Sequence, residues 1–519
     1  MRRFVITFLT LLMIIIPLSS KGDIEKLDAP IRKSLSERNT FVIGIDKESD
    51  TPFLNPVEAT DTNSLLILEG LFEGLFNFDG ESGMAVGAIA KEFDLSPDQL
   101  TWTFYLDENS RFSNGDPIDS STFIDSWFWL LDNPNGKSSP LIAMMGPITN
   151  LENYRNSKVS KSQVGIKALD KYTIQLTLDY SAPYLPSLLA TIPFSAIHKS
   201  YRTNKNEQPL ISSGPFVLVE NSPSQILLEK NRWYRAYDEI GSDYIKFLFL
   251  DEQQLVESYQ NNLIDWSLAF VPPQYLKSLN DLHIDLEYST AFYYFSATSG
   301  PYSNKEIRKA LSLLIPWDEL KEESGQLFPT TNLIPKERMF NYSYETNKEK
   351  AFEILSKEGF AHGIALPELN IGVHRGSKVY ESAKKIADIW SKELGITVIL
   401  DVVPLKMYSR YPSQSPYDFA FITWIGDILD PFSFLSLFLS DSGYNLANYK
   451  DSTYDELVYK AMESGSQNLI EQAELYLLEN NVVFPFYHGF TINIVNSEKV
   501  AVWHDNLLNI HPLKELKLK

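Results

Sequence analysis

The sequence contains no cysteine among its 519 residues. This absence excludes disulfides, thiolate metal ligands, cysteine nucleophiles and thioether-linked lipid anchors. The motifs H-E-x-x-H, G-x-S-x-G, G-x-G-x-x-G and the Gly-rich phosphate loop are also missing. The seven histidines include no pair at the i, i+4 spacing of a helical metal site. We therefore predict no metal site, no cofactor and no enzymatic activity.

Long apolar runs are equally scarce. The uncharged stretch Phe4–Ile16 follows Met1-Arg2-Arg3 and precedes Pro17-Leu18-Ser19-Ser20. Its thirteen residues are too few to cross about 30 Å of hydrocarbon, which needs roughly twenty. A positive flank, a short apolar stretch and small residues are typical of a secretory signal peptide. We predict a signal peptide over residues 1–20 with cleavage near Ser20; the alternative is an uncleaved leader that acts as a tether.

Positive charge is in deficit, since the formal net charge is −21 at pH 7. Such a balance disfavours nucleic acid and anionic membrane surfaces as partners. The hydrophobic fraction of 44% and the aromatic fraction of 13% exclude a disordered chain. A length of 519 residues is typical of a protein with about three or four domains. We expect a globular, exported monomer that does not bind nucleic acid.

The first half of the chain shows local patterns of antiparallel strands and capped helices. Polar and apolar residues alternate over residues 101–106 and again over 172–178, where Ile174, Leu176 and Leu178 share a face. Asp119 is placed to cap a helix that runs through Phe123 and Trp127. Apolar residues at helical spacing predict another helix over 63–73, ended by Gly74.

The later part of the chain alternates strands with helices. Residues 369–373 are typical of a strand, and residues 380–394 carry an apolar stripe that predicts a helix. Gly395 is expected to end that helix before a β-rich run at 396–403. A strand-helix-strand unit favours parallel pairing, so this part predicts an α/β lobe.

Four positional strings carry a family resemblance. Their order and spacing closely resemble the extracytoplasmic solute-binding proteins of bacterial ABC importers, in the oligopeptide and dipeptide class, and the resemblance covers Phe41 to Leu518. The strings are Leu71-Phe72-Glu73-Gly74-Leu75, Arg111-Phe112-Ser113-Asn114-Gly115-Asp116-Pro117, Ser213-Gly214-Pro215-Phe216-Val217-Leu218 with Leu228-Glu229-Lys230-Asn231-Arg232-Trp233-Tyr234, and Tyr417-Asp418 with Trp424-Ile425-Gly426-Asp427-Ile428-Leu429-Asp430-Pro431.

The resemblance implies an α/β periplasmic-binding-protein fold of two hinged lobes with an extra third domain and a ligand cleft between the lobes. Lobe I would comprise residues 23–72, 191–290 and 491–519, with the extra domain inserted at 73–190 and lobe II at 291–490. The antiparallel alternation falls within the extra domain, and the strand-helix-strand unit falls within lobe II.

The resemblance also implies which residues hold the ligand. In the family, an acid just after the tryptophan of the last string meets the amino group of the peptide, and the matching residue is Asp427. Backbone groups of Thr423, Trp424 and Ile425 would pair with the ligand as an added strand. The side chain of Trp424 would form an apolar wall. The residues expected to face this strand from lobe I are Thr60, Asp61 and Thr62.

The chain departs from the family where a basic group would hold the carboxyl end of the peptide. Phe421 occupies the position of an arginine, and no histidine lies within residues 379–394. Arg410 and Arg375 are nearby substitutes. Tyr293 and Tyr294 could line the cleft or pack at the hinge, and packing is the favoured interpretation.

The predicted function is capture of peptides in the periplasm and their delivery to the membrane permease subunits of an ABC importer. With no cysteine behind the leader, the protein is expected to be free in the periplasm. An alternative is another solute on the same fold, such as a metal chelate or an oligosaccharide. An exported hydrolase with paired carboxylates is a more distant alternative, since the sequence identifies no such pair. A chaperone-like or adhesive role also stays open.

Overall fold

A computed structural model describes residues 39–47, 52–59, 61–133, 140–203, 210–268, 271–297, 300–326, 328–335, 342–374, 377–403 and 416–519. The predicted leader, Thr60, Arg375 and Arg410 lie outside the described residues. Within the described ranges, no helix has both the length and the apolar character needed to span a bilayer.

Sixteen strands are found in the described part of the chain. They are β1 (Thr40–Asp46), β2 (Phe76–Phe78), β3 (Ala85–Gly87), β4 (Ala90–Leu95), β5 (Thr101–Leu106), β6 (Ile166–Asp170), β7 (Thr173–Thr177), β8 (Phe216–Asn221), β9 (Gln225–Lys230), β10 (Tyr244–Leu250), β11 (Trp266–Ser267), β12 (Leu282–Phe295), β13 (Leu369–His374), β14 (Val398–Val403), β15 (Phe419–Ile425) and β16 (Val483–Val495).

The α-helices of the same residues follow in chain order. They are α1 (Thr62–Leu71), α2 (Ser120–Asp132), α3 (Pro140–Met144), α4 (Leu151–Arg155), α5 (Leu185–Ala190), α6 (Lys199–Thr203), α7 (Glu252–Gln260), α8 (Lys305–Leu313), α9 (Trp317–Ser324), α10 (Lys348–Lys357), α11 (Ser377–Leu394), α12 (Phe432–Leu435), α13 (Ser452–Ser464) and α14 (Gln467–Glu479).

A ten-stranded mixed sheet runs through the described molecule in the order β14-β13-β15-β12-β16-β11-β1-β10-β9-β8. The strands on one side of the β12–β16 pair come from residues 369–425, and those on the other side come from residues 40–46 and 216–267. β12 and β16 are long enough to belong to both halves, and their register shifts between Leu286 and Thr290. This order fits a two-lobed α/β protein, although the lobe boundaries given above remain predictions.

Residues 90–177, within the predicted extra domain, contain a separate four-stranded antiparallel sheet in the order β4-β5-β7-β6. The alternation predicted over residues 172–178 is confirmed, because Ile174, Leu176 and Leu178 are all buried. The Asp119 side chain accepts from the backbone N–H of Thr122, which confirms the predicted cap of α2. Sequence periodicity therefore gives the correct elements where one face of each element is solvent-exposed.

The predicted strand-helix-strand unit is also confirmed. β13 and β14 pair in parallel over six residues, with α11 between them. Gly395 follows α11 with φ +64°, a left-handed conformation that favours glycine at the end of a helix. The predicted end of α1 at Gly74 is wrong, since the helix ends at Leu71. Gly74 instead lies against backbone, where an added Cβ would sit 2.6 Å from the carbonyl oxygen of Leu189.

Helices cover both faces of the sheet around β12 and β15. Ala291, Tyr293 and Phe295 of β12 pack with α8, α9 and α11 on one face. Tyr288, Phe292 and Tyr294 pack on the opposite face with residues of α12, α13 and α14. With both faces covered, the edges and ends of these strands are what remains for contact with a ligand.

Candidate functional site

The edge of β15 is open along most of its length. β15 pairs with β12 over all seven of its residues, from Phe419 opposite Phe295 to Ile425 opposite Ser289. On its other side it pairs with β13 only at Phe419 and Ala420. In the described part of the chain, no strand pairs with residues 421–425 on that side. This edge leaves backbone N–H and C=O groups available to an extended segment.

Asp427 lies two residues beyond the end of this open edge. The residue as a whole is half-buried, while its carboxylate is closely surrounded by protein atoms. Burial raises the pKa of Asp427 to about 6, and the group's own backbone N–H opposes that shift only partly. No side chain among the described residues donates to this carboxylate or forms an ion pair with it. An acid that is desolvated but unpaired is suited to receive a cation from a ligand.

Gly426 fixes the backbone that presents Asp427. Its N–H donates to the carbonyl of Tyr288 (2.8 Å), which extends the β12–β15 ladder by one step. A Cβ at this position would lie 2.6 Å from the Tyr288 ring and 3.2 Å from the Phe434 ring. Tyr288 and Phe434 are in edge-to-face contact with centroids 5.3 Å apart. The glycine of the Trp-Ile-Gly-Asp string is therefore required by the close approach of the backbone to an aromatic ring.

A compact turn after Asp427 holds the neighbouring tryptophan. Trp424 Nε1 donates to the carbonyl of Ser433 (3.0 Å), and its ring meets Tyr444 at a centroid distance of 5.8 Å. The Ser433 hydroxyl donates to the carbonyl of Ile428 (3.0 Å). The side chain of Trp424 stays half-buried, so one part of the indole is fixed while the rest is available to contact a ligand.

Asp430 is a second acid in the same turn. Its Oδ1 accepts from the backbone N–H of Phe432 (2.9 Å), and burial raises its pKa to about 6. Of the two acids in this turn, Asp430 therefore stabilises the turn. Asp427 has no hydrogen-bond partner from another described residue.

Three residues predicted for the site belong to the core. The side chain of Tyr293 is fully buried, stacks on Phe419 and meets the ring of Phe421 edge-on, with centroids 4.7 Å apart. Phe421 is itself buried on that face. Tyr294 is buried on the opposite face near Phe292. Packing, the favoured interpretation of both tyrosines, is what the structure shows; Phe421 contributes no side-chain surface to a cleft.

The two predicted lobe I residues that are described have different roles. Both carboxylate oxygens of Asp61 bind Ser64, one accepting from its N–H (2.8 Å) and one from its hydroxyl (2.6 Å). Asp61 therefore caps α1. Thr62 is exposed at the first residue of that helix. No hydrogen bond or ion pair joins Asp61 or Thr62 to β15 among the described residues.

The structure adds residues that the sequence analysis missed. Tyr487 of β16 hydrogen-bonds Thr423, and His374 at the end of β13 lies 5.5 Å from the ring of Phe421. Glu287 lies at the irregular part of β12, where burial raises its pKa and a hydrogen bond from Ser289 opposes the shift. These residues lie far apart in sequence and belong to no motif, so only the register of β12, β15 and β16 relates them. No cluster of three metal-ligating side chains occurs in the described residues.

A family model decides the class of the protein. The model described as bacterial extracellular solute-binding proteins, family 5 (middle), matches residues 85–445. The chain belongs to this family. Its match covers the inserted sheet, β12, β15 and Asp427.

Individual relatives agree with the family over nearly the whole chain. The periplasmic oligopeptide-binding protein OppA of Salmonella typhimurium is 26% identical, covering 95% of this chain and 94% of the relative. The oligopeptide-binding protein OppA of Bacillus subtilis is 27% identical over 88% of each chain. Among solved structures, the periplasmic oligopeptide-binding protein OppAIV of Borrelia burgdorferi superposes with a TM-score of 0.82 at 26% identity, covering 93% of this chain and all of that chain. The two-lobed periplasmic-binding-protein fold expected from the sequence is thereby confirmed.

Proposed function

We propose that this protein captures peptides in the periplasm and delivers them to the permease of an ABC importer. The observation that carries the proposal is the Asp427 carboxylate. It is desolvated, has no partner from another described residue, and follows a strand edge with which no described strand pairs over residues 421–425. In this arrangement the peptide lies as an added strand along residues 421–425, and its amino group pairs with Asp427.

This geometry suits a ligand whose side chains vary. Peptides of different sequence share only their backbone and their charged ends, and the site offers backbone groups together with one carboxylate. Each backbone hydrogen bond contributes about 1 kcal/mol net, while a charge-assisted bond to an ion contributes roughly 1.5 to 3 kcal/mol. Asp427 would therefore be the largest single contribution, with the half-buried Trp424 supplying apolar contact.

The carboxyl end of the peptide is held less specifically in this proposal. The arginine position of the family is Phe421, whose side chain is buried in the core. A ring with a titratable nitrogen, His374, lies 5.5 Å from the ring of Phe421 at the carboxyl end of β13. With the amino end fixed and the carboxyl end less constrained, the site is expected to accept peptides of more than one length.

Localisation and partners follow from the family and the composition. Relatives such as the Salmonella typhimurium protein are named as periplasmic. Without cysteine there is no site for a thioether-linked lipid. We propose a free periplasmic monomer that closes by a hinge on its ligand, presents the closed form to the permease and carries out no covalent chemistry.

Identification of the bound solute tests the proposal. Ligand carried through purification would be released by denaturation and identified by mass spectrometry. The refolded protein would then be titrated calorimetrically with a pool of two- to six-residue peptides, a metal chelate and an oligosaccharide. We expect saturable binding of peptides alone. Saturation by the chelate or the sugar without peptide binding would contradict the proposal.

A matched pair of variants connects this binding to the site. Asp427→Asn is expected to lose at least tenfold in peptide affinity, since 1.4 kcal/mol corresponds to tenfold. Asp388→Asn is the control, because Asp388 is an exposed acid on α11 that pairs with Lys384 one turn away. Equal affinity in the two variants would refute the assigned role of Asp427.

A further inference from the structure

A second recess lies at the end of the β12–β15 pair opposite to Asp427. It has a volume of about 410 Å³ and lies where Ala297 follows β12, with the N-terminal ends of α8 and α13 beside it. Ala297 N–H donates to the carbonyl of Ala447 (2.6 Å), which closes one side. The paired region from Phe419 to Ile425 spans about 20 Å at 3.3 Å per residue. The recess is therefore separate from the peptide site.

The recess is basic in a strongly acidic protein. Lys305, Arg308 and Lys450 line it, while Asp451 is its single acid. None of the three cations forms an ion pair with a carboxylate in the described residues. The net charge of −21 acts weakly here, because salt screens exposed charges beyond about 10 Å at 0.1 M. The local charge of the recess is therefore positive.

Arg308 is the buried member of this group. Its side chain is 2% exposed. It donates only to backbone carbonyls. Nε donates to Asn481 (3.1 Å) and Asn480 (3.3 Å), Nη1 donates to Ser303 (2.6 Å) and Tyr302 (3.4 Å), and Nη2 donates to Asn480 (2.9 Å). Nη2 carries two N–H groups, and only one of them has an acceptor among the described residues. The carbonyls satisfy most of its donors but carry no formal charge, so the guanidinium keeps a positive charge that an anion would offset.

Asp451 offsets part of this positive charge, but it forms no ion pair with any of the three cations in the described part of the chain. One of its oxygens accepts from the hydroxyls of Tyr449 (2.8 Å) and Tyr476 (3.1 Å). The other caps α13 by accepting from the backbone N–H groups of Thr453 and Tyr454. Its lone pairs are therefore committed to hydroxyl and backbone donors, and the three cations keep their capacity for an external acceptor.

We propose that this recess is a binding site for a small oxyanion, a phosphate or a carboxylate. One oxygen would accept from the free N–H on Arg308 Nη2, and the ammonium groups of Lys305 and Lys450 would neutralise the remaining charge. The volume of about 410 Å³ lies in the range of small-molecule pockets. The site is independent of the peptide-binding function, since it shares no residue with the Asp427 site.

Titration of the full-length mature protein with inorganic phosphate tests this site. Calorimetry at constant ionic strength, with sodium chloride replacing phosphate in the reference, separates specific binding from screening. We expect one saturable phosphate site, and succinate as a second probe distinguishes carboxylate from phosphate preference. No heat above the chloride reference with either probe would overturn the proposal.

Exposed lysines give variants that keep the fold. Lys305→Gln and Lys450→Gln are each expected to weaken binding of the better probe at least fivefold. Lys357→Gln is the matched control, because Lys357 is an exposed lysine that pairs with Glu353 on α10. Asp427→Asn should bind the anion as the wild type does while losing peptide affinity. If Lys357→Gln weakens binding as much as Lys450→Gln, the binding is general to the surface and the site does not exist.

Discussion

Two buried acids of this protein, Glu73 and Asp427, have opposite surroundings. Glu73 is 2% exposed, and its carboxylate accepts from Asn77 (2.9 Å), Tyr234 (2.5 Å) and Arg235 (3.0 Å). Asp427 has no donor from any other described residue, and burial raises its pKa to about 6. Both acids belong to strings that carry the family resemblance, but among the described residues only Glu73 is paired with a cation.

The difference distinguishes an acid that stabilises the fold from an acid that is available to a ligand. A buried carboxylate with several donors stabilises the fold around it, and its removal leaves those donors unpaired. A desolvated carboxylate without donors makes the folded state less stable, so its presence needs a reason outside folding. At the other end of the β12–β15 pair, the cations that line the recess near Arg308 likewise lack a carboxylate partner among the described residues, so the same reasoning applies there with the charge reversed.

The largest expected effect is on stability at Glu73. Glu73→Gln removes the charge that faces Arg235, whose side chain is largely buried. Breaking one partner of a buried ion pair costs about 3 kcal/mol or more. Chemical denaturation would measure the loss, with Glu353→Gln as the control because its exposed pair with Lys357 should contribute nothing measurable. If Glu73→Gln lowers the free energy of unfolding no more than Glu353→Gln does, the hydrogen bonds around Glu73 do not stabilise the fold.

Asp427→Asn should increase the stability of the folded protein at neutral pH, whereas Glu73→Gln should lower it. The pKa of Asp427 is raised to about 6 in the folded protein, so the ionised folded form is destabilised above pH 6. This cost disappears as pH falls below about 4, where the group is protonated in both states. We expect the variant to be about 3 kcal/mol more stable at pH 7 and equal to the wild type at about pH 3. A variant that is less stable at pH 7 would mean that Asp427 has an internal partner.

Peptide affinity should depend on pH through the same group. Pairing with an ammonium requires the ionised carboxylate, and ionisation falls as pH drops through about 6. Between pH 7 and pH 5 we expect about a tenfold loss of affinity, since the charged fraction drops by that factor. Asp430 also has a pKa raised to about 6. The Asp427→Asn variant distinguishes the two, because its weaker binding should no longer change over this range.

The smallest effect is expected at Asp61. Its two oxygens cap α1 through Ser64, so Asp61→Ala should lower stability by about 1 kcal/mol while Asp61→Ser keeps most of it. Peptide affinity should change less than twofold in either variant. An affinity loss in Asp61→Ser as large as that of Asp427→Asn would restore Asp61 to the ligand site.

Much of the fold could be predicted because its signals are local. The cap at Asp119, the alternating face of Ile174 and Leu176, and the glycine after α11 each depend on residues within one element. The end of α1 could not be predicted from Gly74, since that glycine is required by a contact with Leu189 more than a hundred residues away.

The site was predictable only in part for a similar reason. Asp427 was identified through its string, and its lack of a partner is a property of the fold. Phe421 matches an arginine position of the family, and Tyr293 left both cleft lining and packing open with packing favoured. Helices cover their face of the sheet and bury both side chains. The recess near Arg308 lies between α8 and the turn before α13. No local sequence pattern predicts that these two segments lie side by side.

Pairing between Asp427 and the ligand amino group is measured most directly by a double-mutant cycle. Wild type and Asp427→Asn would each be titrated with one peptide and with its N-acetylated form. We expect the wild type to prefer the free amine by at least tenfold and the variant to bind both forms with equal affinity. A wild type without this preference, or a variant that keeps it, would show that Asp427 does not pair with the amino group.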